Sequence, residues 1–313
     1  MKRFILLLLI GTSYLSVFGD TNVRVARYFG NKKAAVSYTF DDGLLEHFTL
    51  VFPELQKRGI RATFGIIGSK VGHDMKGTPC MTWSQLREMA EAGQEIASHG
   101  WMHQNVEKLS REALRYEVEH NDSVIADSTG IRPLTYFYPG NRKTPEAVEF
   151  CSRNRVGTRT FQTSIGSKRD EMWLRRWIDG LLATGDWGVG MTHGITVGYD
   201  AFVCQQTLWS HLDYACTMAD SLWIAPLCDV TAYVTERDSL KLDVRKGRSS
   251  ITVIPYTGLD GNIFTHPLTL VVSGDRVVSA VQDGKSLSVY TNGGETMIDF
   301  SPCGGQVMIK LAQ

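Results

Sequence analysis

Three short segments carry the residue types from which hydrolytic metal chemistry is built: Thr39-Phe40-Asp41-Asp42-Gly43, Ser98-His99-Gly100-Trp101-Met102-His103 and Met191-Thr192-His193-Gly194. They offer two adjacent carboxylates, two imidazoles four residues apart and one further imidazole. A mononuclear hydrolytic site needs three protein ligands, a base and an acid. Adjacent residues at a strand end point in different directions, so one of Asp41 and Asp42 can bind a cation while the other addresses a substrate. Gly43 allows the sharp departure that exposes both. An Asp-Asp-Gly turn is also common for structural reasons alone. A bare His-x-x-x-His pair often lies on a surface, but on a helical turn His99 and His103 share a face and can converge on one ion. Neutral imidazole suits zinc, cobalt or nickel. His193 would add an acid that works near neutral pH.

Each segment ends an apolar run, so the elements around it decide whether the three meet. Strands are expected over 34–40, 61–67, 95–98, 134–138 and 187–192. Helices are expected over 45–58 (stopped by Gly59), 84–92, 111–127 (capped by Ser110), 145–153 (capped by Thr144, with Pro145 first) and 201–222. Repeated βα units argue for an α/β fold, a parallel sheet or distorted (β/α) barrel, with the candidate residues at its C-terminal mouth. From about residue 240 the helical period gives way to short alternating runs separated by Gly-containing turns. This reads as a small C-terminal antiparallel β domain, a sandwich. The expected division is 1–19 signal peptide, 20–238 barrel and 239–313 accessory β domain.

The bulk properties narrow the class. The chain has 313 residues, 43% hydrophobic and 21% charged, with a formal net charge of +0. That is ordinary globular composition, long enough for a large domain plus a small one. No basic stripe of the kind nucleic-acid binders use is visible. Lys2-Arg3, the apolar run 4–10 and the small residues near Ser16 and Gly19 read as a secretory signal, which implies a secreted or periplasmic protein. No later stretch is apolar enough for a membrane span. The six cysteines, Cys80, Cys151, Cys204, Cys216, Cys228 and Cys303, form no CxxC pair. Some could pair in an oxidising compartment, and buried free thiols fit equally well.

The motif set resembles the polysaccharide deacetylase family, carbohydrate esterase family 4. Its T-F-D-D-G motif matches 39–43 and its S/T-H-x-x-x-H motif matches 98–103; Arg61-Ala62-Thr63-Phe64 and Gly93-Gln94-Glu95-Ile96 are also similar to family segments. The resemblance covers roughly 32–237 and implies one divalent metal, zinc with cobalt or nickel as alternatives, held by Asp42, His99 and His103. It implies Asp41 as the base, His193 as the acid and the backbone at Gly140 as part of the oxyanion site, acting on an acetylated glycan. Tyr138 would line the cleft, and Trp101 would either stack on a sugar ring or pack under the mouth. Trp173, Trp177, Trp209 and Trp223 are expected in packing roles, and His47, His73, His120, His211 and His266 in structural or exposed ones.

Two departures stand out. Phe137 occupies the place where many relatives carry an Arg that orients the base; Arg142, Arg175 or Arg176 are the substitutes sequence suggests. No clear Asp partner for His193 appears, Asp179 and Asp186 being the weak candidates. One rival reading is therefore a carbohydrate-binding relative that keeps the metal but has lost turnover. A second is an iron oxygenase built on the same two histidines and one carboxylate.

Overall fold

The computed structural model describes residues 21–312. The expected signal peptide lies outside the described residues. Eight parallel strands form one sheet, in the order Gly157–Arg159, Thr135–Phe137, Glu95–Ser98, Thr63–Ile66, Ala34–Phe40, Trp187–Thr192 and Thr163–Ser164, with Leu222–Ile224 paired to the first half of Ala34–Phe40. Ala34–Phe40 is buried along its whole length, as a strand covered on both faces must be. The two edge strands, Gly157–Arg159 and Thr163–Ser164, do not pair with each other; residues 160–162 join them directly. The barrel is thus closed by a chain connection rather than by hydrogen bonds, which is the expected distorted form.

Local chemistry sets the helices. Thr82 and Gln85 form a reciprocal capping box ahead of Trp83–Glu91, and Ser110, Thr144 and Asp170 cap their helices by accepting from the backbone three residues on. Gly59, in a left-handed conformation at φ 65°, ends Phe52–Arg58. Two helices contain a wide π turn, His47–Val51 and Tyr116–His120, and both turns bear on the candidate site. The helix expected over 201–222 is shorter, Gln206–Thr217. After a turn, Leu222–Ile224 joins the sheet as a strand, a better place for a Leu-Trp-Ile run. Helices Glu171–Thr184 and Leu227–Ser239 complete the outer layer.

The remainder is antiparallel. Lys241–Lys246, Ser250–Tyr256, Val307–Leu311, Val277–Gln282 and Lys285–Ser286 form one sheet. Leu268–Ser273, Glu295–Phe300 and Val289–Asn292 form the other, and Asn22–Val25 from the start of the described chain pairs along its edge. Their inward residues, including Ile251, Val253, Leu270, Ile298, Phe300 and Ile309, share one core. Tyr233 of helix Leu227–Ser239 enters that core and donates through its hydroxyl to the Ala26 carbonyl, seating the sandwich on the barrel. All six cysteines are free.

Candidate active site

Asp41 and Asp42 leave the end of Ala34–Phe40 in different environments. Asp42 adopts φ 76° and Gly43 φ 70°, so the chain turns back at once. A left-handed Asp costs roughly 1–3 kcal/mol and persists where the surroundings over-determine it. The turn brings Asp42 Oδ1 to 3.5 Å from His99 Nε2 and 3.7 Å from His103 Nε2. One ligand atom from each of the three lies within 4.8 Å of the others.

Asp42 Oδ1 is buried and has no hydrogen-bond partner. The His99 Nδ1–H donates to the Phe137 carbonyl at 3.0 Å, which leaves the Nε2 lone pair facing Asp42. An orphaned carboxylate oxygen beside two convergent imidazole nitrogens fits a divalent cation. Burial pushes the Asp42 carboxyl up, but the adjoining His99 and the more distant His193 hold it below its ordinary value. Burial, with His99 beside it, brings His103 down to about 4, so its ring is neutral near pH 7.

Asp41 faces a guanidinium. Arg159 Nη1 and Nη2 donate to its two carboxylate oxygens at 2.6 and 2.5 Å, all of it buried. Burial alone would raise the Asp41 carboxyl; Arg159, with His99 and His193 behind it, holds it well below the ordinary carboxylate range. Arg159 also donates to Thr39 Oγ1 at 2.8 Å, and its guanidinium lies 3.9 Å from the centre of the Phe137 ring. The arginine missing at residue 137 is therefore supplied from the end of the next strand, and Phe137 is the surface on which it rests. Arg142 is exposed, Arg175 stacks on Tyr214 and Arg176 is exposed on the outer helix. None of the three expected substitutes reaches Asp41.

His193 Nε2 lies 3.8 Å from Asp41 Oδ2. Neither suggested carboxylate reaches His193: Asp179 accepts from the Tyr214 hydroxyl, and Asp186 pairs with Arg27. Its Nδ1 is buried without a partner. The residue is held by other means. His47, fully buried and lowered to about 4 by burial, donates through Nε2 to the His193 carbonyl at 2.7 Å. Glu46 accepts from the Thr196 and Val197 backbone, and the Tyr199 ring meets the imidazole edge-on at 4.9 Å.

The second-motif loop is fixed by Glu117 on the Tyr116–His120 π turn. Its carboxylate accepts from the backbone of Met102 and Gln104, on either side of His103, and its carbonyl accepts from Trp101. His103 itself sits at φ 58°. At Gly100, φ 82°, a Cβ would stand 2.5 Å from Glu117 Oε1. Asn121, one turn further on, ties the Ile66 carbonyl, Ser98 Oγ and the Gly68 N–H together.

These groups open into one cavity of about 780 Å³, lined among others by Asp41, Asp42, His99, His103, Tyr138, Gly140, Arg159, His193 and Tyr199. Tyr138 spends its hydroxyl on Thr158. Trp101, half-buried, is not among the residues lining the cavity; its ring packs over Gly68 and edge-on to His120.

Residues 30–155 match the family model described as polysaccharide deacetylase. This segment belongs to the polysaccharide deacetylase family. A Listeria monocytogenes peptidoglycan-N-acetylglucosamine deacetylase is 30% identical over 139 residues, 44% of this chain and 27% of that one. A Pseudobutyrivibrio xylanivorans bifunctional xylanase/deacetylase is 27% identical over 104 residues, 33% of this chain and 16% of that one. A Bacillus subtilis protein assigned as a polysaccharide deacetylase is 28% identical over 118 residues, 38% of this chain and 41% of that one. The chain thus spans less than half the length of each of these relatives. A Mycobacterium smegmatis crystal structure with the same assignment shares the fold at TM-score 0.54 and 15% identity, over 69% of this chain and 94% of that one. Within the family match lie Asp41, Asp42, His99 and His103; Arg159 and His193 lie beyond it.

Proposed function

We propose that this protein is a metal-dependent hydrolase that removes N- or O-acetyl groups from a polysaccharide or oligosaccharide. The observation that carries the reading is the division of labour between neighbouring carboxylates. Asp41 is gripped by Arg159, while Asp42 turns a free oxygen toward two imidazoles. Asp42, His99 and His103 would hold the metal, zinc being the preferred ion. When bound, it would polarise the acetyl carbonyl and lower the pKa of water.

The chain's own residues do the rest. Asp41, kept ionised and oriented by Arg159, takes a proton from the attacking water. The water oxygen bonds to the acyl carbon, the C–N or C–O bond breaks, and acetate leaves. His193, whose Nε2 shares the space beside Asp41 Oδ2, delivers a proton to the departing amine or alkoxide. The left-handed turn at Gly140 brings backbone to the cavity wall, in support of an oxyanion role. The proposal divides the chain at residues 238/239 into a hydrolase unit and an accessory β unit, and includes export on the strength of the pattern over 1–19.

Arg159 supports turnover over the binding-only alternative; the unpartnered Nδ1 of His193 is what that alternative retains. Metal-stripped protein reloaded with zinc, cobalt or nickel should release acetate from at least one of acetylated chitooligosaccharides, peptidoglycan and acetylated xylan. Glycan and metal binding with no acetate from any of them would favour the alternative.

A further inference from the structure

A histidine that moves a proton is ordinarily oriented through its second ring nitrogen. In His193 that nitrogen, Nδ1, is buried without a partner, and Asp179 and Asp186 are engaged elsewhere. The support comes through the backbone instead. The His193 carbonyl accepts from His47 Nε2 at 2.7 Å, and the His47 ring packs against Phe40 and Phe64. Glu46, the preceding residue, accepts from the Thr196 N–H at 2.5 Å and the Val197 N–H at 2.9 Å, one on each carboxylate oxygen. The loop that follows His193 is closed on itself. The Gly194 N–H donates to the Tyr199 carbonyl at 2.9 Å, and the Phe202 N–H to the Ile195 carbonyl at 3.1 Å. At Gly194 a Cβ would stand 2.0 Å from the Val197 carbonyl oxygen, so the turn has no room for a side chain there. Neither Glu46 nor His47 is among the residues lining the cavity, so neither is placed to touch a substrate. Both follow the first motif directly, and the Asp41 N–H donates to the Thr192 carbonyl at 2.9 Å. One short segment, 41–47, thus bears the candidate base, a candidate metal ligand and the props of the candidate acid.

We propose that Glu46 and His47 are positioning residues for proton delivery by His193, holding its loop from behind in place of a carboxylate on Nδ1. The inference rests on the deacetylase reading for its reaction. Its consequence depends on the leaving group. When the C–N or C–O bond to a sugar breaks, the electron pair passes to nitrogen or oxygen, which must take a proton from His193. In 4-nitrophenyl acetate the pair passes to a phenolate oxygen that is stable near neutral pH and leaves without that proton. Water attack assisted by Asp41 is common to both. A displaced His193 should therefore slow the glycan far more than the aryl ester. Misplacement by about 1 Å can cost roughly a hundredfold, so losing one of two supports should cost about tenfold.

The test follows acetate release from an acetylated glycan and 4-nitrophenolate release from 4-nitrophenyl acetate by the zinc-loaded protein. Wild type, His193→Ala, Glu46→Ala and Glu46→Gln are compared, with bound zinc counted in each. Glu46 is only partly buried, so its replacement leaves the core intact; His47→Gln, which keeps a donor, is the companion for the buried position. The ratio of glycan to aryl-ester kcat should fall steeply in His193→Ala and about tenfold in Glu46→Ala, with zinc retained at one equivalent. Glu46→Gln should recover part of the ratio, because its amide oxygen still accepts one N–H, and His47→Gln should keep more of it than His47→Leu. If Glu46→Ala lowers both rates equally, or neither, the inference is overturned, while a steep fall in His193→Ala alone preserves the deacetylase reading. An unchanged ratio in His193→Ala removes His193 as the acid and the inference with it, and wild type that releases no acetate from any glycan sinks the reading itself.

Discussion

Arg159 is the residue on which the proposed reaction turns most. A buried carboxylate that must stay ionised needs a partner of fixed geometry, and a guanidinium fork on both oxygens provides it. Arg159→Gln should leave Asp41 buried and unpaired, costing about 3–5 kcal/mol in chemical denaturation. It should lower kcat/KM about a hundredfold or more, within the range a general base contributes. Arg159→Lys keeps the charge but not the fork, so it should recover only part of that loss. If Arg159→Gln retained wild-type turnover, Asp41 would not be the base this account makes it. Phe137 is read together with Arg159, because the ring under the guanidinium fills the place where an arginine was expected.

At the scale of elements, the loop between the two histidines is built by the helix that follows it. Glu117 reaches that loop from a π turn, a feature often found at functional sites. Glu117→Gln keeps the shape but weakens two charge-assisted hydrogen bonds. It should reduce metal affinity about 10–100-fold, as loss of a partner supporting a ligand typically does, read by competition with a chelator. Gly100→Ala must resolve both a left-handed φ and a 2.5 Å approach to Glu117, so it should lower Tm and metal affinity together. Unchanged affinity in both variants would mean that the loop does not depend on Glu117. The motifs themselves were legible in sequence, because such chemistry demands Asp and His at short, fixed spacings. So were the long strands and well-capped helices around them. Arg159 was not legible. Its strand, Gly157–Arg159, is too short to show a period, and an arginine acting across the barrel leaves no spacing to read. The strand Leu222–Ile224 was not legible for a similar reason: it is three residues long, and its first, Leu222, fell at the end of the helix expected over 201–222.

For the whole molecule, barrel and sandwich share a seam made by helix Leu227–Ser239. Glu236 is buried there, and neither carboxylate oxygen has a hydrogen-bond partner. Burial pushes its pKa up to about 7, against 4.5 when exposed. Below pH 4.5 the group is protonated in both folded and unfolded chains and stability is unaffected. As pH rises toward 7 the folded state holds a proton the unfolded state has lost, so stability falls, then levels off. Glu236→Gln should therefore match wild type near pH 4.5 and melt a few degrees higher at pH 8. Parallel Tm curves across that range would contradict the assignment. The central claim is that Asp42, His99 and His103 hold a metal while Asp41 performs the proton transfer beside it. It is tested most directly by Asp41→Asn, with bound metal and acetate release measured on the same sample. The account predicts one equivalent of metal retained and release lowered at least a hundredfold. Full activity in Asp41→Asn, or activity in wild type stripped of metal, would contradict it.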